Sequence, residues 1–428
     1  MLIAAGSPLT PEPSWVRYDD VAGIGCEGFD WHRGRQSEFD VTNTGTATVF
    51  FDDRTGAFAD ETLVGGQIML QLHNPVLGTW EPVFRGHIDD IHSEPSPGAP
   101  SLTNSQLECV GIFDYLAGVR MVVGEFGDLT PVGMSGVVFY EDGPVDERIV
   151  SILTDAGIDT DMYVVFSGNV DVNETLYDPD DNALSAIRDA SDAEFPSGVA
   201  NAYEDRFGRI VWHGRFAKFD PDGVSGDAGD SAWDFQRWEA GTRGSVGTTR
   251  SQVREFQYNR PRSRIINSYV AWPALNQNGQ EFPQSSVLGL VRTDTGSISS
   301  YGYRGSEAGS LIIKKHKTNG NTGADECGLF GDFYIANYAE PRKNVERITF
   351  RTLRPDDPRA AANWALMCRI DVSDAVDLYI SEAGLDGEEF FVEGVSGTCR
   401  NGAAGWDIVT VTPNLSPAAY YTDNVFEA

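Results

Sequence analysis

The groups that could do chemistry in this 428-residue chain are six histidines, five cysteines and 64 acidic residues. His87 and His92 flank Ile88-Asp89-Asp90-Ile91, which invites a metal reading. A metal needs its ligands convergent. Five residues apart on a strand, the two imidazoles point to opposite faces, so exposed polar residues at a strand edge are the simpler reading. The acidic runs "DPDDN" (178–182) and "FDPDG" (219–223) lack the alternating ligands, glycine and distal glutamate of a calcium loop. Helix capping explains the first and a turn the second. HExxH, GxSxG and GxxxxGK[ST] are all absent. With 64 acids, a carboxylate pair suited to glycoside hydrolysis is easy to find anywhere, so pairing alone assigns nothing. Trp15, Trp31, Trp80, Trp212, Trp272 and Trp406 fall at strand positions, where core packing outranks a sugar groove. The basic run "KKHKTNG" (314–320) reads as a solvated loop in a chain this acidic. No catalytic residue, metal ligand or cofactor-binding residue is assigned, and an enzyme is not expected.

One motif remains, Arg33-Gly34-Arg35. On a strand the two arginines share a face and Gly34 points the other way. We expect Arg33 and Arg35 to be assembly contacts, pairing with acids of a neighbouring subunit, against the alternative of an ordinary solvated face. On that expectation, reversing both charges blocks assembly and spares the fold. Arg262 and Arg264 in "RPRSRI" form a similar same-face pair ahead of the last β region.

These residues sit in a chain built of short strands. Apolar residues make up 41% and aromatics 11%, too many for disorder. The 46 glycines and 21 prolines imply many turns. Over residues 15–120, Ala47, Val49 and Phe51 alternate, as do Ile68, Leu70 and Leu72. About six strands are predicted there, a small barrel or sandwich. "DDRTG" (52–56) is a turn signal. Helices are predicted over 145–158, stopped at Gly157, and over 178–195, with Asp178 as N-cap and Pro179 at the first position. A hairpin with an Asp205–Gly208 turn follows, then a glycine-rich loop at 219–231. From about 256 strands return, interrupted by one helix at 357–370. The expected fold is mainly β with an α/β middle unit: an N-terminal β-barrel domain (1–125), a mixed α/β domain (126–255) and a second β-barrel domain (256–428).

The formal charge is −32. Residues 1–255 carry 16 basic and 43 acidic residues, a net of −27, and residues 256–428 carry 16 and 21, a net of −5. Such a surface repels nucleic acid and anionic membranes. The five cysteines are widely spaced, with no CxxC, so buried free thiols are expected. Pro8 comes too early for a signal-peptide core, and no run of 18 apolar residues exists to span a membrane.

The stretch "FDWHRGRQSEFDVTNTGTATVFFDDRTGAFADE", followed by "VFRGHIDDI", resembles the N-terminal barrel of baseplate hub or minor tail proteins of long-tailed phages, especially phages of actinobacteria. There an Arg-Gly-Arg strand precedes a G-T-A-T-V strand, a D-x-R-x-G-x-F turn and, later, an F-x-G-x-I-D strand. "ALSAIRDASDAEF" with "AYEDRFGRIVWHGR" is similar to the family's middle helix and hairpin, and "FFVEGVSGTCRNGAAGWDIVTVTPNLSP" to its closing strands. The resemblance implies a structural virion protein of the tail tip, assembled in the host cytoplasm. It implies a homotrimer with two β-barrels per chain, whose ring adapts a sixfold tail tube to a threefold tip. Implied partners are the distal tail protein, the tape-measure protein and other tail-tip proteins, with DNA passing unbound and no membrane insertion. The alternatives are a sixfold distal tail ring protein and a tail protein that binds or hydrolyses host-wall carbohydrate.

Overall fold

The computed structural model describes residues 1–4, 7, 9–18, 24–53, 63–96, 99–121, 138–195, 200–215, 236–242, 250–401 and 408–417. The 219–231 loop, most of the "DDRTG" turn and Trp406 lie outside these residues.

Seven strands open the chain: β1 (Leu2–Ala4), β2 (Val16–Arg17), β3 (Ile24–Gly34), β4 (Asn43–Asp53), β5 (Gln67–Asn74), β6 (Thr79–Ser96) and β7 (Ala99–Val110). The alternation read in the sequence is real. Ala47, Val49 and Phe51 of β4 and Ile68, Leu70 and Leu72 of β5 are all buried. Strand β6 changes partner at His87, from β5 to β7. Helix α1 (Ile112–Gly118) then leads into the middle unit.

That unit contains β8 (Val138–Tyr140), β9 (Gly143–Pro144), α2 (Val145–Asp155), β10 (Tyr163–Val165), β11 (Val170–Val172), β12 (Thr175–Tyr177), α3 (Ala183–Glu194), β13 (Asn201–Glu204) and β14 (Ile210–His213). Gly157 takes a φ of +77° just past α2, as its position predicts. The start of α3 is a correction. Its N-cap is Asn182, not Asp178, because the Asn182 side chain accepts from Ser185 N at 2.9 Å while Ser185 Oγ caps the other way. Asp178 and Asp181 instead close a turn on each other.

The last part holds β15 (Arg237–Gly241), β16 (Ser251–Asn259), β17 (Ser268–Pro273), α4 (Gln284–Val287), β18 (Arg292–Thr293), α5 (Thr295–Tyr301), β19 (Gly305–Leu311), β20 (Ile313–His316), α6 (Gly323–Tyr338), β21 (Asn344–Arg351), α7 (Ala360–Arg369), β22 (Ala375–Ile380), β23 (Leu385–Arg400) and β24 (Ile408–Pro417). Strands β23, β22, β15, β16, β21 and β24 pair in that order, and β24 pairs back to β23. This is a closed six-stranded barrel, which leaves no free edge. The mainly β, multidomain architecture with a mixed middle unit is as expected.

The units do not follow chain order. Strand β3 pairs with β23, so the N-terminal strands continue the barrel wall as one 13-stranded sheet. One core holds Trp31, Val49 and Phe84 together with Trp364, Ile370 and Val395. The 255/256 boundary falls within β16. The second β region is interrupted as well, because β17 to α6 leave the barrel for the middle unit. There Tyr269, Phe330, Phe333 and Tyr334 share a core with Ile149, Ile187 and Trp212. Aromatic packing is the physical reason. The Phe195 ring lies 4.7 Å from that of Phe330 and 5.0 Å from that of Phe333, and Tyr269 stacks on Tyr334 at 4.2 Å. The basic run 314–320, expected as a solvated loop, fastens this insertion instead. Lys314, Lys315 and Lys317 pair with Asp142, Asp171 and Asp146.

Candidate functional site

The Arg33-Gly34-Arg35 motif lies at the seam where the β units and the middle unit meet. Gly34 ends β3 with a φ of +82°. That conformation suits glycine, and it also breaks the strict alternation that would put the two arginines on one face. Both arginines are 2% exposed. The acids expected from a neighbouring subunit come from the same chain. Arg33 donates from Nε to Val83 O at 2.8 Å and from Nη1 to Glu204 O at 3.3 Å, and pairs with Asp371. Arg35 Nε donates to Glu393 Oε2 at 2.8 Å. Side chains this deep cannot touch another subunit without unfolding the seam.

The β13–β14 hairpin locks the seam from the other side. Glu204 reaches into the N-terminal unit, where its carboxylate accepts from Gly45 N and Phe113 N, each at 2.5 Å, and from Thr44 Oγ1 at 3.3 Å. Next in the chain, Asp205 holds its own turn by accepting from Phe207 N at 2.9 Å and Arg209 N at 2.7 Å. Arg206 then reaches the barrel side, with its N–H on Asp371 Oδ2 at 2.9 Å and Nη1 on Cys368 O at 3.3 Å. Asp374 closes the cluster by accepting from Trp238 Nε1, Gln236 N and Asp371 N, each at 2.9 Å. Three consecutive residues, Glu204 to Arg206, thus join all three units. Neither Glu204 nor Asp371 was singled out in the sequence. The signal that could have found Glu204 is "YEDRFGR", a turn more heavily charged than a surface hairpin needs; Asp371 has no such local signal.

Burial pushes the Glu204 carboxyl up to about 7 against the hydrogen bonds it accepts. Burial, and then the neighbouring Asp371, push Asp374 up to about 7 as well. Unfolded carboxyls titrate near 4. The folded chain therefore holds two protons that the unfolded chain has released. That contribution is fully present below about pH 4 and is lost as the pH rises through 7. Burial lowers His32 and His87, which act in the opposite sense until the unfolded imidazoles have lost their protons, about one pH unit above their ordinary value near 6.5, and so offset part of the fall. On balance stability should fall by about 1 kcal/mol between roughly pH 6.5 and pH 8. Urea midpoints at the two pH values check this, and an equal or higher midpoint at the upper one contradicts it.

Arg262 and Arg264 are not a strand pair; they lie in a 3-10 turn over Arg262–Arg264. Arg264 Nη1 donates to both oxygens of the buried Glu38, at 2.8 and 2.9 Å. Arg262 is exposed and donates to Tyr301 O. His87 Nε2 lies 3.7 Å from Asp114, and His92 Nε2 lies 3.4 Å from Asp90 and 3.6 Å from Glu108. Among the described residues no group of three or more His, Cys, Asp and Glu is placed to hold a metal ion. No helix of the described residues is long and apolar enough to cross a membrane. Trp31 and Trp212 are core residues, whereas Trp80 is 44% exposed, with Arg17 over its ring.

Solved structures resemble this one along nearly the whole chain. A tail protein from Neisseria meningitidis matches with a TM-score of 0.55 at 10% identity, covering 97% of each chain. A prophage tail protein from Listeria monocytogenes matches at 0.46 with 7% identity, over 96% of this chain and 93% of that one. A type VI secretion component from Escherichia coli, described as structurally similar to tail proteins of bacteriophage T4, matches at 0.46 with 9% identity, over 92% and 74%. At such identities the likeness is one of fold, and the Neisseria protein carries it. No family model and no curated protein matches the sequence.

Proposed function

We propose that this chain is a structural protein of a bacteriophage tail tip, the baseplate hub of a long-tailed phage. The sequence motifs point further, to a phage of an actinobacterial host. The observation that carries the reading is the shared fold with the Neisseria tail protein over 97% of both chains. Three copies close a ring through heterologous contacts. Each contributes an N-terminal β unit and a closed barrel, so the ring presents six β units to a sixfold tube and three chains to the tip. The distal tail and tape-measure proteins are its neighbours, and DNA passes through. A chain with a net charge of −32 does not grip phosphate, as a conduit requires. Of the four arginines expected at subunit contacts, the exposed Arg262 is the one available to a neighbour without disturbing the fold.

Native mass spectrometry of the purified chain tests the ring, and a trimer is expected. A hexamer overturns the reading in favour of a sixfold distal ring. A monomer at all concentrations overturns closure of the ring by this chain alone.

A further inference from the structure

The turn between β20 and α6 reads Thr318-Asn319-Gly320-Asn321. An Asn-Gly step can react with itself. The glycine nitrogen, once it has given up its proton, attacks the asparagine Cγ, and no Cβ on the glycine hinders the approach. The N–Cγ bond forms and negative charge develops on Oδ1. The Cγ–Nδ2 bond then breaks and releases ammonia, which leaves a cyclic succinimide. Water opens the ring. Cleavage of the N–Cγ bond gives aspartate. Cleavage of the original peptide bond gives isoaspartate, whose main chain is longer by a methylene.

Asn-Gly steps occur at Asn278, Asn319 and Asn401, and the last has its glycine outside the described residues. Asn278 and Asn319 are both exposed, and their glycines take similar φ values, +71° at Gly279 and +81° at Gly320. The two steps differ at the attacking atom. Gly279 N donates to Asn276 O at 3.0 Å, a bond that must break first, whereas Gly320 N donates no hydrogen bond among the described residues. They differ at the attacked group as well. Asn319 Oδ1 accepts from Asn321 N at 2.9 Å, a donor already placed where the charge develops. His316 Nδ1 fixes this turn by accepting from Thr318 N and Asn319 N, each at 3.2 Å. We propose that Asn319 is a site of spontaneous deamidation in the folded chain and that it converts ahead of Asn278. The consequence falls on the basic run 314–320 that fastens the β17–α6 insertion. There His316 N donates to Asn321 O at 2.9 Å, and Lys315 bridges to Thr322, the N-cap of α6. The added methylene of isoaspartate lies between these partners and loosens the turn.

Peptide mapping by mass spectrometry, on the full chain held at mildly alkaline pH, tests the site. Asn319 should convert about two- to tenfold faster than Asn278, the factor for a hydrogen bond that only Gly279 has to break. In urea, where neither turn is formed, the two rates should match. Equal rates in the folded chain overturn the proposal, as does faster loss at Asn278 or a difference that survives in urea. Gly320→Ala places its Cβ in open space, with nothing within 4 Å, so it shields the nitrogen without a clash. That variant should convert at position 319 more slowly than at Asn278, and an unchanged rate overturns Gly320 N as the attacking atom. In chains carrying isoaspartate the His316 amide should exchange with solvent about tenfold faster or more. Unchanged exchange there overturns the loosening of the turn.

Discussion

Arg33→Met lowers the stability of this protein by about 3–5 kcal/mol, the range for breaking a buried ion pair from one side. Methionine fills most of the space and removes the charge. Asp371 then stays at the seam with only backbone donors, the N–H groups of Arg206 at 2.9 Å and Val372 at 2.8 Å. The Val83 and Glu204 carbonyls lose their Arg33 donor too. Those carbonyls belong to the N-terminal and middle units and Asp371 to the barrel side, so one substitution loosens three attachments. Urea unfolding measures the effect, and a loss below about 1 kcal/mol would show the seam to be tied elsewhere. The same geometry reverses the sequence-based expectation for Arg33→Glu with Arg35→Glu. These changes would bury negative charge against Asp371 and Glu393, so the fold fails before any assembly step.

Gly34→Ala is the second large effect. A Cβ there would lie 2.5 Å from Glu393 O, 2.7 Å from Gly394 Cα and 2.9 Å from Val372 Cγ2. The first two are backbone atoms of β23, which cannot swing aside as a side chain does. Left-handed strain adds about 1–2 kcal/mol. Together with the displacement of β3 from β23, a loss of at least about 3 kcal/mol is expected. Gly65→Ala is the internal control. Gly65 has a φ of +79° but nothing within 4 Å of its would-be Cβ, so only the conformational cost remains, about 1 kcal/mol. If the two variants unfold at the same urea concentration, close backbone approach at Gly34 contributes nothing.

Much of the fold was legible because its signals are local. Alternation in β4 and β5, the glycine stop after α2 and the turn at Asp205–Gly208 are set by neighbours a few residues away. Helix α6 was not anticipated, although Thr322 and Asp325 form a capping box at its start. The residues between them, Gly323 and Ala324, sit beside a lysine-rich run that reads as a loop. The roles of Arg33 and Arg35 were misread for a different reason. Two charges on a strand look exposed, and nothing nearby announces that Asp371 and Glu393, more than 300 residues on, will cover them. The departure of β17 to α6 from the barrel was hidden in the same way, since it depends on Phe195 meeting Phe330 and Phe333.

The junction of β3 with β23 also sets a schedule for biosynthesis. Gly34 pairs with Gly394, a separation of 360 residues. At roughly 5–20 residues per second, the ribosome delivers the partner strand about 20–70 s after β3 has emerged. Throughout that interval β3 presents an unpaired edge, the kind of template that recruits other chains. Its loop closure is also among the longest this chain can make, which slows the final step of folding. Yields should therefore depend on slow, cool expression. Fragments that stop before β23 should aggregate, even when they contain the whole N-terminal sheet.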